Sequence, residues 1–381
     1  MSYFDGASVQ NAIYLGGAEW PISPADWEAR AESALEPPAF DYIAGGAGAE
    51  LTMRANREAF ERVRLRPRML AGNRGRDLSV EVLGTRSPAP FFLAPVGVLS
   101  IAHADGELAA ARGAAANGVP FILSSAASHS IEEIAEAMGD APRWFQLYWI
   151  NDREIAASFV ERAAANGFSA IVLTLDTLTL GWRPRDLANA YLPFIKGEGS
   201  AQFFSDPVFC SRLEQPPEED VLTAAATMLS TFPNLGLTWD DLAWLREQVE
   251  LPLLVKGVLT AGDAKRAFEC GVDGVIVSNH GGRQVDGAVG ALDAFVEVRE
   301  AAGDDATVLV DGGVRTGADV LKAIALGADA VLVGRPYAYA LAVGGQAGVE
   351  AVIRQLLAET DITLALLGGR SVRELDRSFV A

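Results

Sequence analysis

Short stretches that are apolar on both faces recur along the chain at 91–95, 120–124, 144–148, 170–175, 252–255, 274–277, 307–310 and 330–333. Most are followed by a stretch with helical periodicity and legible ends. Ser130 with Glu133, Asn151 with Glu154, Thr260 with Asp263 and Thr316 with Asp319 read as N-terminal caps with an acid in the first turn. Gly139, Gly167, Gly271 and Gly327 read as the matching stops. The unit also repeats in wording: Gly271-Val272-Asp273-Gly274-Val275-Ile276-Val277 is nearly restated by Gly327-Ala328-Asp329-Ala330-Val331-Leu332-Val333. Strands buried on both faces and alternating with helices predict a parallel sheet. Eight of them predict an α/β fold closed as a (β/α)8 TIM barrel.

The spacing breaks in one place. Between the fourth and fifth strands the chain is far longer than one helix requires, so an insertion follows Asp176. Its centre, 197–234, is rich in Gly, Pro, Ser and acids without a sustained period. On the strand-end face such a segment, spanning about 181–237, is expected to be a lid over a site. Ahead of the barrel, Ser23-Pro24-Ala25-Asp26 opens a helix to about Leu35, and helical pattern surrounds 51–60. Residues 1–70 therefore form a helical extension, expected to plug the bottom of the barrel, within one domain covering 1–381.

Composition narrows the class. Of 381 residues, 50% are hydrophobic and 21% charged, and no apolar stretch is long enough to span a bilayer. Met1 to Trp20 shows no basic segment followed by an apolar one, so the expected location is cytoplasmic. Cys210 and Cys270 are too few for a disulfide framework and have no metal-ligand spacing. A formal charge of −19 disfavours nucleic acid and anionic membranes as partners. Any bound anion must meet positive charge gathered locally.

That charge stands at the strand ends, which converge on one mouth in a barrel. In order they carry Pro95, Val96 and Gly97; Ser124; Gln146 and Tyr148; Thr174 and Asp176; Lys256; Ser278, His280 and Arg283; Asp311, Gly312 and Gly313; and Gly334 with Arg335. Singly, each has an ordinary role: Asp176 capping a loop, Lys256 snorkelling, Tyr148 filling core. Together they form a polar rim that a bare scaffold does not need. His280, one of three histidines with His103 and His129, titrates near neutrality, and Arg283 can grip a carboxylate through two hydrogen bonds. After the seventh and eighth strands, Gly312, Gly313, Arg315, Gly334 and Arg335 suit a phosphate. Two other readings stay open: an aldolase or isomerase forming a Schiff base at Lys256 on a phosphorylated substrate, or a barrel kept as a scaffold.

The block Ser278-Asn279-His280-Gly281-Gly282-Arg283-Gln284 resembles the signature of the FMN-dependent L-2-hydroxy-acid oxidising enzymes. The resemblance extends over nearly the whole chain through Phe40-Asp41-Tyr42, Asn56-Arg57-Glu58-Ala59-Phe60, Phe145-Gln146-Leu147-Tyr148, Thr174-Leu175-Asp176-Thr177, Leu254-Val255-Lys256-Gly257 and Asp311-Gly312-Gly313-Val314-Arg315. Gly181-Trp182-Arg183-Pro184-Arg185-Asp186 is most similar to the lactate oxidase and lactate monooxygenase branch. The resemblance implies FMN as cofactor, a 2-hydroxy acid, foremost L-lactate, as substrate, O2 as acceptor and a homotetramer or larger assembly. It implies that His280 takes the hydroxyl proton, that Asp176 stabilises the imidazolium, and that Tyr42, Arg183 and Arg283 hold the carboxylate while Tyr148 contacts the substrate oxygen. Pro95, Val96, Gly97, Ser124, Gln146, Thr174, Lys256 and Ser278 would line the ring and ribityl chain, with Asp311 beside them. Gly313, Arg315, Gly334 and Arg335 would hold the phosphate. Gly97 stands where oxidases commonly carry alanine. That implies room to retain pyruvate for oxidative decarboxylation, a monooxygenase outcome, ahead of simple release of keto acid and peroxide. Ala126, where glycolate oxidase carries tryptophan, and Tyr191 from the insertion are further departures bearing on substrate size.

Overall fold

The computed structural model describes residues 4–72, 75–232 and 234–381. Met1–Tyr3 of the N-terminal extension and Pro233 of the insertion fall outside them. A short antiparallel hairpin comes first, β1 (Val80–Val82) with β2 (Thr85–Ser87). Eight parallel strands then close on themselves among the described residues: β3 (Phe91–Leu93), β4 (Phe121–Ser124), β5 (Arg143–Tyr148), β6 (Ile171–Thr174), β7 (Leu253–Val258), β8 (Gly274–Val277), β9 (Thr307–Val310) and β10 (Val331–Val333). The pairing of β10 with β3 completes the barrel. All eight expected strands are present. β7 continues to Val258, so Lys256 lies within a strand rather than just beyond it.

Alternation along each strand splits the core in two. Phe92, Ile122, Trp144, Val172, Leu254, Ile276, Leu309 and Leu332 fill the barrel interior. Their neighbours Phe91, Leu93, Leu123, Phe145, Leu173 and Val275 face the helices in a second, larger cluster. Each fully buried side chain of this kind contributes about 1.5–3 kcal/mol. Capping boxes at Ser130 and Thr316, and the Thr260 cap, start three helices as expected. In the helix Arg153–Ala165 the cap is Asp152, one residue beyond Asn151, because its carboxylate reaches the amides of both Glu154 and Ile155.

The N-terminal helices are not the plug. The barrel floor is closed by the β1–β2 hairpin, whose Val82 joins the interior cluster and whose Thr85 hydroxyl accepts the indole N–H of Trp144 at 2.8 Å. The helix Pro24–Ala34 instead packs on the long helix Arg335–Leu367, with the Trp27 indole N–H donating to Gln355. The helix Leu51–Arg62 lies against the turn after β8, where Asn56 and Asn279 exchange two side-chain hydrogen bonds of 2.9 and 2.7 Å.

The segment between β6 and β7, expected to be irregular, holds short helices at Pro184–Ala188, Pro193–Lys196, Ala201–Phe204 and Pro207–Cys210, then a longer one at Val221–Ser230. Proline in the first turn fixes the start of three of the short pieces, Pro184–Ala188, Pro193–Lys196 and Pro207–Cys210. Buried polar groups tie it down: Gln202 accepts from the Ile131 amide and donates to the His129 carbonyl, while Asp206 accepts from Ser158 and Arg162. Among the described residues no helix is long and apolar enough to cross a membrane.

Candidate active site

The carboxyl ends of the barrel strands open into a cavity of about 350 Å³, within the range of small-molecule sites. Of the residues expected at the site, Tyr42, Pro95, Val96, Gly97, Tyr148, Arg183, Lys256, His280, Arg283, Asp311, Gly313, Arg315, Gly334 and Arg335 line it. Asp176 stands behind His280. Ser124, Gln146 and Thr174 form a buried chain in the wall: the Ser124 hydroxyl donates to Gln146 at 3.0 Å, and the Gln146 amide donates to Thr174 at 2.9 Å. Ser278 accepts from Lys256 Nζ at 3.1 Å and from the His280 amide at 3.0 Å.

His280 is held by backbone that few side chains adopt. Its φ is +58°, and Gly281 and Gly282 follow at +62° and +78°. A non-glycine residue in this region costs about 1–3 kcal/mol, and a Cβ at Gly282 would lie 2.7 Å from the Met53 amide nitrogen. The turn is pinned by Asn279, whose side-chain oxygen accepts from the Gly282 amide. The ring it presents is oriented on both sides: Nδ1 lies 2.8 Å from Asp176 Oδ1 and Nε2 lies 3.3 Å from the Tyr148 hydroxyl. Thr177, absent from the sequence expectation, donates its hydroxyl to Asp176 at 3.0 Å and lies 3.2 Å from His280 Nδ1. Its position directly after Asp176 was the available signal.

Electrostatics follow from burial and neighbours. Burial pulls the His280 imidazole below its ordinary pKa although Asp176 opposes this. Burial alone would raise Asp176, but His280 and Lys256 beside it hold its carboxyl below the usual range. The resting pair is thus neutral imidazole against carboxylate. Burial pushes the Tyr148 phenol up to about 12. Lys256, 3.3 Å from Asp311, overcomes burial through Asp311 and Asp176 and is raised, so the amine stays protonated.

The guanidiniums supply the local positive charge that a −19 chain needs to bind an anion. Arg183 donates to the Arg283 carbonyl and to Gln284, and Arg283 donates to the Gly45 carbonyl while lying 5.1 Å over the Tyr42 ring. Burial and the neighbouring Arg183 push Arg283 down to about 9. Arg335 donates to the carbonyls of Ile43, Gly45 and Gly281, sharing the Gly45 oxygen with Arg283. Burial and Arg335 push Arg315 down to about 10. Among the described residues none of Arg283, Arg315 and Arg335 has a carboxylate within ion-pair distance. Partly buried cations without counter-ions are costly, so this run of guanidiniums along the cavity is built for anions.

These residues fit a phosphorylated flavin. Gly312 and Gly313 have φ of +82° and +97°, and a Cβ at Gly313 would lie 2.7 Å from the Asn56 carbonyl. Only glycine brings that backbone beside Arg315, and the paired cations suit a dianionic phosphate. Deeper in the cavity, the buried Asp311 Oδ1 has no hydrogen-bond partner.

Residues 31–381 match the family model described as FMN-dependent dehydrogenase. An FMN-dependent alpha-hydroxy acid dehydrogenase of Penicillium citrinum is 46% identical over 97% of this chain and 94% of its own length. An L-lactate oxidase of Lysinibacillus sphaericus is 42% identical over 94% of this chain and 92% of its own. The crystal structure of a mandelate oxidase superposes with a TM-score of 0.82 at 40% identity, covering 93% of this chain and 96% of that one. With a family match over nearly the entire barrel and a mouth equipped for flavin and a small organic anion, the chain belongs to the FMN-dependent dehydrogenases and is an FMN-dependent 2-hydroxy-acid oxidoreductase.

Proposed function

We propose that the protein oxidises an L-2-hydroxy acid to the 2-keto acid with O2 as terminal acceptor, releasing keto acid and hydrogen peroxide. The observation that carries this is the triad of Tyr148, His280 and Asp176 beside two guanidiniums: a neutral base, an orienting carboxylate and an anchor for a carboxylate in one cavity. Arg183, Arg283 and the Tyr42 hydroxyl hold the substrate carboxylate, which fixes the reacting carbon next to His280. His280 accepts the hydroxyl proton at Nε2, Tyr148 holds the same oxygen, and Asp176 stabilises the imidazolium through Nδ1. Gly313, Arg315, Gly334 and Arg335 would hold the phosphate of FMN, and Pro95, Val96, Gly97, Ser124, Gln146, Thr174 and Ser278 would line its ring and ribityl chain; bound there it would supply two-electron redox chemistry. Lys256, paired with Asp311, would offer the flavin a fixed positive charge. Overall a C–H and an O–H bond break, a C=O bond forms, and two electrons and two protons reduce O2 to H2O2.

Three observations shape the finer reading. A protonated Lys256 bridging Asp311 and Ser278 is the wrong state for Schiff-base chemistry, which needs a free amine. A Cβ at Gly97 would lie 2.8 Å from the Ala126 carbonyl, so the space glycine leaves is taken by backbone rather than open to retained product. Direct release is therefore favoured over the expected decarboxylating outcome. Finally, the curated relatives include L-lactate oxidases, which supports O2 as acceptor. Aerobic turnover of L-lactate or a homologue tests the proposal: keto acid and peroxide in equal amounts support it, whereas carbon dioxide and the shortened acid would replace it with the monooxygenase.

A further inference from the structure

The end of the cavity beyond Tyr148 has a composition that an acid as small as lactate leaves unused. The insertion between β6 and β7 supplies the apolar Leu180, Phe194, Phe203, Met228, Leu229 and Phe232 to the lining, together with Thr177, Thr179, Gly199 and Arg183. Three of them gather near the catalytic pair. The Phe232 ring meets the edge of Tyr148, centroids 6.2 Å apart at 81°, and Tyr148 in turn reaches His280 through its hydroxyl. Met228 and Leu229 lie one helical turn before Phe232, at the end of the helix Val221–Ser230.

Beside Phe194 the wall is small. Val98 donates its amide to the Ala126 carbonyl, and Ala126 presents only a methyl group. Gly199, φ +73°, lets the insertion close tightly there: a Cβ would lie 2.8 Å from the Ala126 carbonyl, the Phe194 ring and the Val98 side chain. The insertion is thus seated on the barrel rim.

Resting on the 2-hydroxy-acid reading above, we infer that the insertion is the specificity element: Met228, Leu229 and Phe232 receive the substrate's side chain, and the preferred acid carries an apolar side chain larger than a methyl group. The orientation follows from charge. The carboxylate end is fixed by Arg183 and Arg283, so the fourth substituent of the carbinol carbon points away from them, along Tyr148 toward Phe232. A methyl group leaves that wall facing water, while a branched or aromatic side chain covers it. One buried methylene is worth about tenfold or more in discrimination. A second carboxylate finds no cation among Leu180, Phe194, Phe203, Met228, Leu229 and Phe232, so dicarboxylic hydroxy acids are excluded.

The test compares anaerobic flavin reduction and steady-state kcat/KM of the holoenzyme with L-lactate, L-2-hydroxyisocaproate, L-3-phenyllactate and L-malate. The expected kcat/KM for the isocaproate or phenyllactate exceeds that for lactate by about tenfold or more, and malate is inert. Phe232→Ala and Met228→Ala lower the ratio of the larger acid to lactate by about fivefold or more. Phe232→Leu, less disruptive to the fold, lowers it in the same direction. Equal or better use of lactate, or variants that leave the ratio unmoved, overturns this inference. Failure of every acid to reduce the flavin instead overturns the functional reading beneath it.

Discussion

Nδ1 of His280 lies 2.8 Å from Oδ1 of Asp176, and the other oxygen of that carboxylate is buried without a hydrogen-bond partner. The pair spans 104 residues of sequence and is brought together by the ends of β6 and β8. Asp176→Asn keeps the size of the side chain and removes the charge that stabilises imidazolium. The expected outcome is a kcat about 10²- to 10⁴-fold lower, the usual contribution of positioned acid/base groups, with flavin content unchanged. Stopped-flow reduction together with the visible spectrum of the variant measures both.

The pH dependence follows from the direction of the His280 shift. The base must be neutral to accept a proton, and burial lowers its pKa below the ordinary value of about 6.5. As pH rises, kcat/KM is expected to climb through an acid limb below that value and stay flat across neutrality. Asp176 raises the His280 pKa against burial, so Asp176→Asn moves the limb to lower pH while reducing the plateau. A profile of kcat/KM against pH for both proteins checks the sign.

Lys256 and Asp311 are both almost fully buried, 3.3 Å apart. Lys256→Met leaves a buried carboxylate without its cation and is expected to cost about 3–5 kcal/mol of stability. Adding Asp311→Asn removes that charge. The double variant should recover stability in urea titrations yet remain slow in flavin reduction, which separates the structural role of the pair from the role of the lysine in turnover.

Arg315 has the opposite signature. It is a cation pushed down to about 10, with its own neighbour's carbonyl, that of Val314, as hydrogen-bond acceptor. Arg315→Met should leave the apoprotein as stable as the parent or more so, because a desolvated charge disappears. FMN affinity should fall about tenfold or more. Thermal unfolding with and without added FMN measures both quantities, since a ligand that binds only the folded state raises its stability with concentration.

Glu107 is fully buried and braces the cavity-lining loop from behind. Its carboxylate accepts from the Leu99 amide at 2.9 Å and lies 3.0 Å from His129 Nδ1. The loop it holds includes Val98 at φ +59°, a conformation a β-branched residue rarely adopts. Glu107→Gln is expected to cost about 1.5–3 kcal/mol, the worth of charged hydrogen bonds, and to weaken FMN binding in equilibrium dialysis.

The barrel was legible because its strands are buried on both faces: runs such as 274–277 have no polar alternation to confuse them with amphipathic helices. The rim was legible because convergence at the mouth is a property of the fold, which set Asp176 and His280 at one mouth, while their pairing came from the family resemblance. The floor was not. Strands of three residues such as Val80–Val82 carry almost no periodicity, and the hydrogen bond from Trp144 to Thr85 exists only once the chain has closed. Leu51–Arg62 reads as an ordinary amphipathic helix, yet Asn56 anchors the turn bearing His280, a role set by a partner 223 residues away. The surroundings of Gly97 were hidden for a similar reason. Glycine announces missing volume, but only the approach of the Ala126 carbonyl says which neighbour has filled it.

The most direct measurement is anaerobic mixing of the purified holoenzyme with an L-2-hydroxy acid, followed by its visible absorbance, for the parent and for His280→Gln. A yellow protein that bleaches on mixing, with the variant still yellow and slowed by about a hundredfold or more, is the expected result. A colourless protein, or a variant that bleaches as fast as the parent, contradicts the assignment of His280 as the base in a flavin-bearing cavity.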